Sequence, residues 1–130
     1  ASVYAMYVLE AGDYFSEEGM SEQEAKSLLN LMYVSLRALR EKALSEELIA
    51  SIYELRLLVL QGEYTLMPSY YKSEETVEIW QRCISAPLSL LYKADYFREL
   101  DTEEFTANAK LLFDRQVKHS FRTLDVLKKL

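Results

Sequence analysis

The residues that could do chemistry are few and scattered. His119 is the single histidine and Cys83 the single cysteine, so a zinc site of the usual kinds would have to be completed by carboxylates. No disulfide can form within the chain. Cys83 has no basic partner close in sequence and reads as a buried thiol rather than a nucleophile. His119 falls near the end of a predicted helix, where a cation suits the helix dipole. Four carboxylate pairs, Glu17-Glu18, Glu46-Glu47, Glu74-Glu75 and Glu103-Glu104, have acid/base capacity. Three of the four open predicted helices, and stabilising the dipole accounts for them. There is no glycine-rich phosphate loop, no nucleophile elbow and no histidine pair on a helix. The expectation is a protein that is not an enzyme and carries no metal or cofactor.

Two further sets stand out. Glu54 and Arg56 interrupt the most apolar part of the chain. Either both lie on a narrow exposed strip of their helix, or Glu54 is buried and anchors a loop or a cation from another helix, because a buried carboxylate must be paired or hydrogen-bonded. Trp80 and Tyr70-Tyr71 offer rings on which bases could stack; in an acidic helical domain they read better as core and lid packing.

The element that must position these residues is Glu46 to Gly62. Ser45 is a good N-cap, Glu46 and Glu47 fill the first turn, and Gly62 suits the left-handed position past the end. Leu48, Ile52, Leu55 and Val59 form one stripe, Ile49, Tyr53 and Leu60 widen it, and Leu57 and Leu58 carry it round. A helix apolar nearly all round is a buried one. The chain is therefore expected to be all-α, a single helical bundle built around a buried central helix at about residues 46–61.

The other elements follow from caps and periodicity. A first helix spans about Ser2 to Phe15, with Ala11-Gly12-Asp13 loosening its end, and Gly19 pivots the loop after it. Ser21 and Glu24 make a capping box for a helix to about Lys42, with the stripe Ala25, Leu28, Leu29, Met32, Leu36 and Leu39. Residues 63–72, barred from helix by Pro68, form a link. Ser73 restarts a helix through Trp80 that Pro87 ends, and Leu88 to Leu91 suggest a short turn. Asp101 as N-cap, with Glu104, opens a helix to about His119. Phe121, Leu124, Val126 and Leu127 give a last apolar segment.

The 130 residues suit one domain, and half of them are hydrophobic. No aliphatic run approaches the ~20 residues that span a bilayer, and no signal peptide is visible. The net charge of −6 argues against strong nucleic-acid binding by this piece. Residues 110–130 run against that balance, with six Lys or Arg and two Asp. Because Ala1 already stands inside a helix-like pattern, a fragment of a longer protein is expected.

Ile52 to Pro68, IYELRLLVLQGEYTLMP, resembles the RecO family of recombination mediators, in which a central helix of this pattern runs into a glycine and a proline-bearing loop. Ile84 to Tyr96, ISAPLSLLYKADY, and His119 to Leu130, HSFRTLDVLKKL, are similar to the family's closing segments, and AMYVLEAGDYF to the first helix after its N-terminal domain. The resemblance covers nearly the whole chain, as an ordered set of segments. It implies the C-terminal helical domain of a RecO-like protein without the family's N-terminal OB-fold. The family's four-cysteine zinc module is also missing, since the interval from Gly62 to Ile84 is short and holds only Cys83.

By that resemblance the chain would serve bacterial DNA repair in the cytoplasm, associated with the nucleoid. It would support strand annealing and recombinase loading through contacts with RecR and the single-strand-binding protein. Single-stranded DNA would be bound mainly by the absent domain, and no membrane would be involved. The acidic, Phe-ended tail of the single-strand-binding protein needs an apolar pocket with a basic rim. Charge suggests Arg115, Lys118 and Arg122 around Phe121 for that site. The alternative is a ligand-sensing helical domain of a transcriptional regulator, with the tyrosine- and methionine-rich faces lining a cavity.

Overall fold

Four serines start the first four helices. Ser2, Ser21, Ser45 and Ser73 each stand in extended backbone and accept from the backbone N–H three residues on, at Ala5, Glu24, Leu48 and Thr76. Each satisfies one of the donors that a helix start leaves without a partner. At Ser21 the Glu24 carboxylate also accepts from the serine N–H, closing the expected capping box. A computed structural model describes residues 2–17, 19–62 and 73–129. Their elements are α1 (Val3–Phe15), α2 (Glu22–Glu41), α3 (Glu46–Leu60), α4 (Glu74–Ser85), a 3-10 turn (Leu88–Leu90), α5 (Ala94–Phe97), α6 (Glu103–Gln116) and α7 (Arg122–Lys129). The described residues contain no strand, and the domain is all-α. No described helix is long and apolar enough to cross a membrane. The link at 63–72, with Pro68 and the Tyr70-Tyr71 pair, and Glu18 lie outside the described residues.

α3 is the core helix that its pattern implied. Leu48, Ile49, Ile52, Tyr53, Leu55, Leu57 and Leu58 are all buried; at ~1.5–3 kcal/mol for each large apolar side chain, this one helix anchors the fold. It packs against α1, α2, α4 and α6. Gln61 ends it in αR geometry, and Gly62 follows at φ +73°, the left-handed position that glycine takes without strain.

Several boundaries differ from expectation. Gly12 does not loosen α1: the helix continues to Phe15, and Gly12 is buried against Met32 of α2, whose Sδ would lie 2.5 Å from an added Cβ. The glycine is there for close approach of two helices. On α2 the buried face is Leu28, Leu31, Ser35, Ala38 and Leu39, while Leu29 is 64 % exposed. Thr102, not Asp101, holds the N-cap position of α6. Asp101 accepts from the Glu103 N–H, and Glu104 accepts from the Thr76 hydroxyl of α4. α6 stops at Gln116, short of His119.

Candidate functional site

Glu54 and Arg56 are two residues apart on α3, so they point to opposite sides of it. Neither lies on an exposed strip. Glu54 is 1 % exposed, and its carboxylate accepts from the Tyr7 hydroxyl of α1 at 2.6 Å. Burial pushes its carboxyl up to about 7; Lys110 and the Tyr7 bond pull it back, and Asp114 adds to the rise. Tyr7 itself is pushed far up, by burial first and then by the neighbouring carboxylate, so it stays the proton donor of the pair. Beside them, Tyr53 donates to the backbone carbonyl of Val8 at 2.7 Å. The α1–α3 seam is thus held by two tyrosine hydroxyls, one donating in each direction.

A cavity of about 140 Å³ adjoins this pair, walled by Tyr4, Ala50, Leu124 and Leu127 and bordered by Lys110 and Lys128. The partner of Glu54 is therefore a hydroxyl, with one lysine each from α6 and α7 beside the cavity.

Arg56 turns to α4. One guanidinium nitrogen donates to the carbonyls of Cys83, Ile84 and Ala86 at 3.3, 2.9 and 2.8 Å. These groups stand at the end of α4 just ahead of Pro87, where no further helical turn can satisfy them. Partial burial lowers the Arg56 pKa. Cys83 beneath it is buried, and burial pushes its thiol up to about 12, which leaves it unreactive at neutral pH. Trp80 is also core, edge-on to Phe105 with ring centroids 5.9 Å apart.

The residues expected to form a partner site are placed in two environments. Arg115, Lys118 and Arg122 are exposed. Phe121 is 2 % exposed, its ring against Tyr7, Tyr14 and Phe113 with centroids 5.5–6.2 Å apart. It supplies core, and the three cations have no open aromatic floor between them. His119 is exposed and stacks on Tyr14 at 4.2 Å.

An open groove with a basic rim lies elsewhere. Where the C-terminal end of α2 meets the N-terminal ends of α1 and α3, Ala5, Leu36, Leu39 and Leu44 floor a groove of about 720 Å³. Arg40 and Lys42 border it, with Glu46 among the polar lining. Lys42 takes up the left-handed turn at the end of α2, with φ 52°, a conformation that a lysine adopts at some cost. Sequence reading missed this groove, since its lining comes from three helix ends. The positive turn just past α2, falling on a lysine, has no local signal of the kind a glycine provides.

Among the described residues, no group of three or more His, Cys, Asp or Glu is placed to hold a metal ion. Comparisons with known protein families, with curated proteins and with solved structures gave no match.

Proposed function

We propose that this chain is the helical domain of a RecO-like recombination mediator that works through protein–protein contact and performs no chemistry of its own. In this reading it receives an acidic, apolar-ended peptide such as the tail of single-strand-binding protein. It cooperates with RecR in strand annealing and recombinase loading, and leaves most contact with single-stranded DNA to an OB-fold domain. A cytoplasmic, nucleoid-associated role follows from that reading.

The observation that carries it is the groove between α1, α2 and α3. An apolar floor takes an aromatic or aliphatic end, and the Arg40 and Lys42 charges take the acidic residues before it. The N-terminal end of α1, with no acidic residue in its first turn, adds a positive dipole end on the same side. The ordered resemblance of the sequence segments supports the same assignment. The ligand-sensing alternative finds less to stand on. It expects a cavity lined by tyrosine and methionine, but Tyr7 and Tyr53 fill core, the space beside Glu54 is only about 140 Å³ against the ~300–1,000 Å³ usual for small-molecule sites, and the 720 Å³ groove has neither residue type in its lining.

A fluorescent acidic peptide ending in Phe tests the proposal by titration. The expected result is saturable binding that weakens about tenfold or more in the Arg40→Glu/Lys42→Glu double variant, in proportion to two lost charge contacts. A triple variant at Arg115, Lys118 and Arg122 should bind as the parent does. Loss of binding in the triple variant alone would move the site to the α6–α7 end. No binding at millimolar peptide would overturn the reading.

A further inference from the structure

Among the described residues, the hydrogen bonds that fasten α7 to the bundle are all at its start. At its start, the Glu10 carboxylate of α1 accepts from the backbone N–H groups of Arg122 and Thr123, both at 3.0 Å, and from the Thr123 hydroxyl at 2.6 Å. That carboxylate acts as a helix cap supplied from another helix. Phe121, immediately before, is sunk into the aromatic cluster of Tyr7, Tyr14 and Phe113. Beyond Thr123 the attachment thins: Leu124 and Leu127 are half-buried, and Val126 and Lys128 are exposed. Among the described elements, the α7 backbone comes close only to α1.

The loosely held half lies over Glu54, the one buried carboxylate among the described residues. Leu124, Leu127 and Lys128 line the cavity that contains Glu54 and Tyr7. The titratable and charged groups facing Glu54 are Tyr4 and Tyr7 from α1, Lys110 and Asp114 from α6 and Lys128 from α7. α2 and α4 contribute none among the charges acting on it.

We propose that α7 is a hinged lid over Glu54, pinned at Phe121–Thr123, shut while the Glu54 carboxyl carries its proton and lifted at the Leu127 end when that proton leaves. The covering apolar wall of Leu124 and Leu127 gives a neutral carboxyl nothing to object to. An ionised one gains by admitting water, and lifting the wall admits it. The sign follows from burial, which holds Glu54 near 7 instead of the ordinary 4.5. The shut state is favoured below 4.5, and that preference is lost as pH rises through about 7. Lys110 of α6, which stays in place beside the cavity, can approach the exposed carboxylate, so opening stays local while the Phe121 pin holds.

Hydrogen exchange of the intact chain between pH 6 and 8.5, corrected for intrinsic rates, tests this. Protection of the amides at 124–129 should fall about tenfold or more across that range, while α6 amides keep theirs. In Glu54→Gln, which retains the acceptor for Tyr7 but cannot ionise, α7 protection should be high and flat. In Lys110→Met the fall should move to higher pH, because the cation that favours ionisation is gone. A flat wild-type profile overturns the proposal. So does a fall that survives in Glu54→Gln, which would assign the response to another group.

Discussion

The two sides of α3 solve the burial of a charge in opposite ways. On the α4 side, Arg56 keeps its proton under all ordinary conditions, so it sits only half-buried and spends its hydrogens on three carbonyls at a helix end. On the α1 side, Glu54 is sealed more completely than Arg56 with a single hydroxyl for a partner. It can be sealed because a carboxyl has a neutral form to fall back on. The first arrangement is insensitive to pH and fixes a helix end. The second is sensitive to pH and leaves a cavity beside it. Position in the sequence does not distinguish them, since only Leu55 lies between them; the protonation chemistry of each side chain does.

Three changes break or sharpen that contrast. The largest effect is expected from Arg56→Met, which leaves the carbonyls of Cys83, Ile84 and Ala86 without their donor. The loss should be about 3 kcal/mol, equal at pH 5 and pH 9, as read by urea denaturation. A loss that varies with pH would erase the distinction between the two sides. Next comes Glu54→Gln. The folded-state pKa of about 7 exceeds the unfolded 4.5, so the native protein should lose stability as pH rises between those values and just beyond. The variant should match wild type near pH 5 and be more stable by about 2 kcal/mol at pH 9. Equal stability at both pH values would mean that Glu54 ionises without penalty. The smallest is Glu10→Ala, expected to cost about 1 kcal/mol at pH 7 as a lost cap. Burial raises the Glu10 pKa, but its bonds to Thr123 and Arg122 outweigh that and lower it overall. Its contribution is therefore present above pH 4.5 and shrinks as pH falls through the lowered folded pKa; the gap to wild type in thermal melts should be smaller at pH 3.5 than at pH 7.

What could be read from the sequence was local. The serine caps, the Ser21–Glu24 box, Gly62 and the all-round apolar pattern of α3 all lie within a few residues of what they determine, and α3 was placed to within a residue. Glu54 and Arg56 could not be oriented because a helix apolar on nearly every side has no polar face to point them to. Glu10 caps a helix that begins more than a hundred residues later, and no spacing rule connects the two. Phe121 among cations suggested an open pocket; which neighbours its ring meets depends on α1, α6 and α7 converging. The groove at Arg40 and Lys42 is made of three helix ends and exists only once they meet.

The reciprocal tyrosine bonds of the α1–α3 seam also bear on the order in which the chain folds. Tyr7 to Glu54 and Tyr53 to Val8 join residues 47 and 45 apart, whereas each serine cap spans three. Bonds that close long loops wait on the search that brings distant segments together, while caps form within their own turn. The helices can therefore start independently, and the sliding of α1 along α3 is arrested only when both hydroxyls have found their acceptors. Those two hydroxyls choose one register among the several that an apolar surface alone would tolerate.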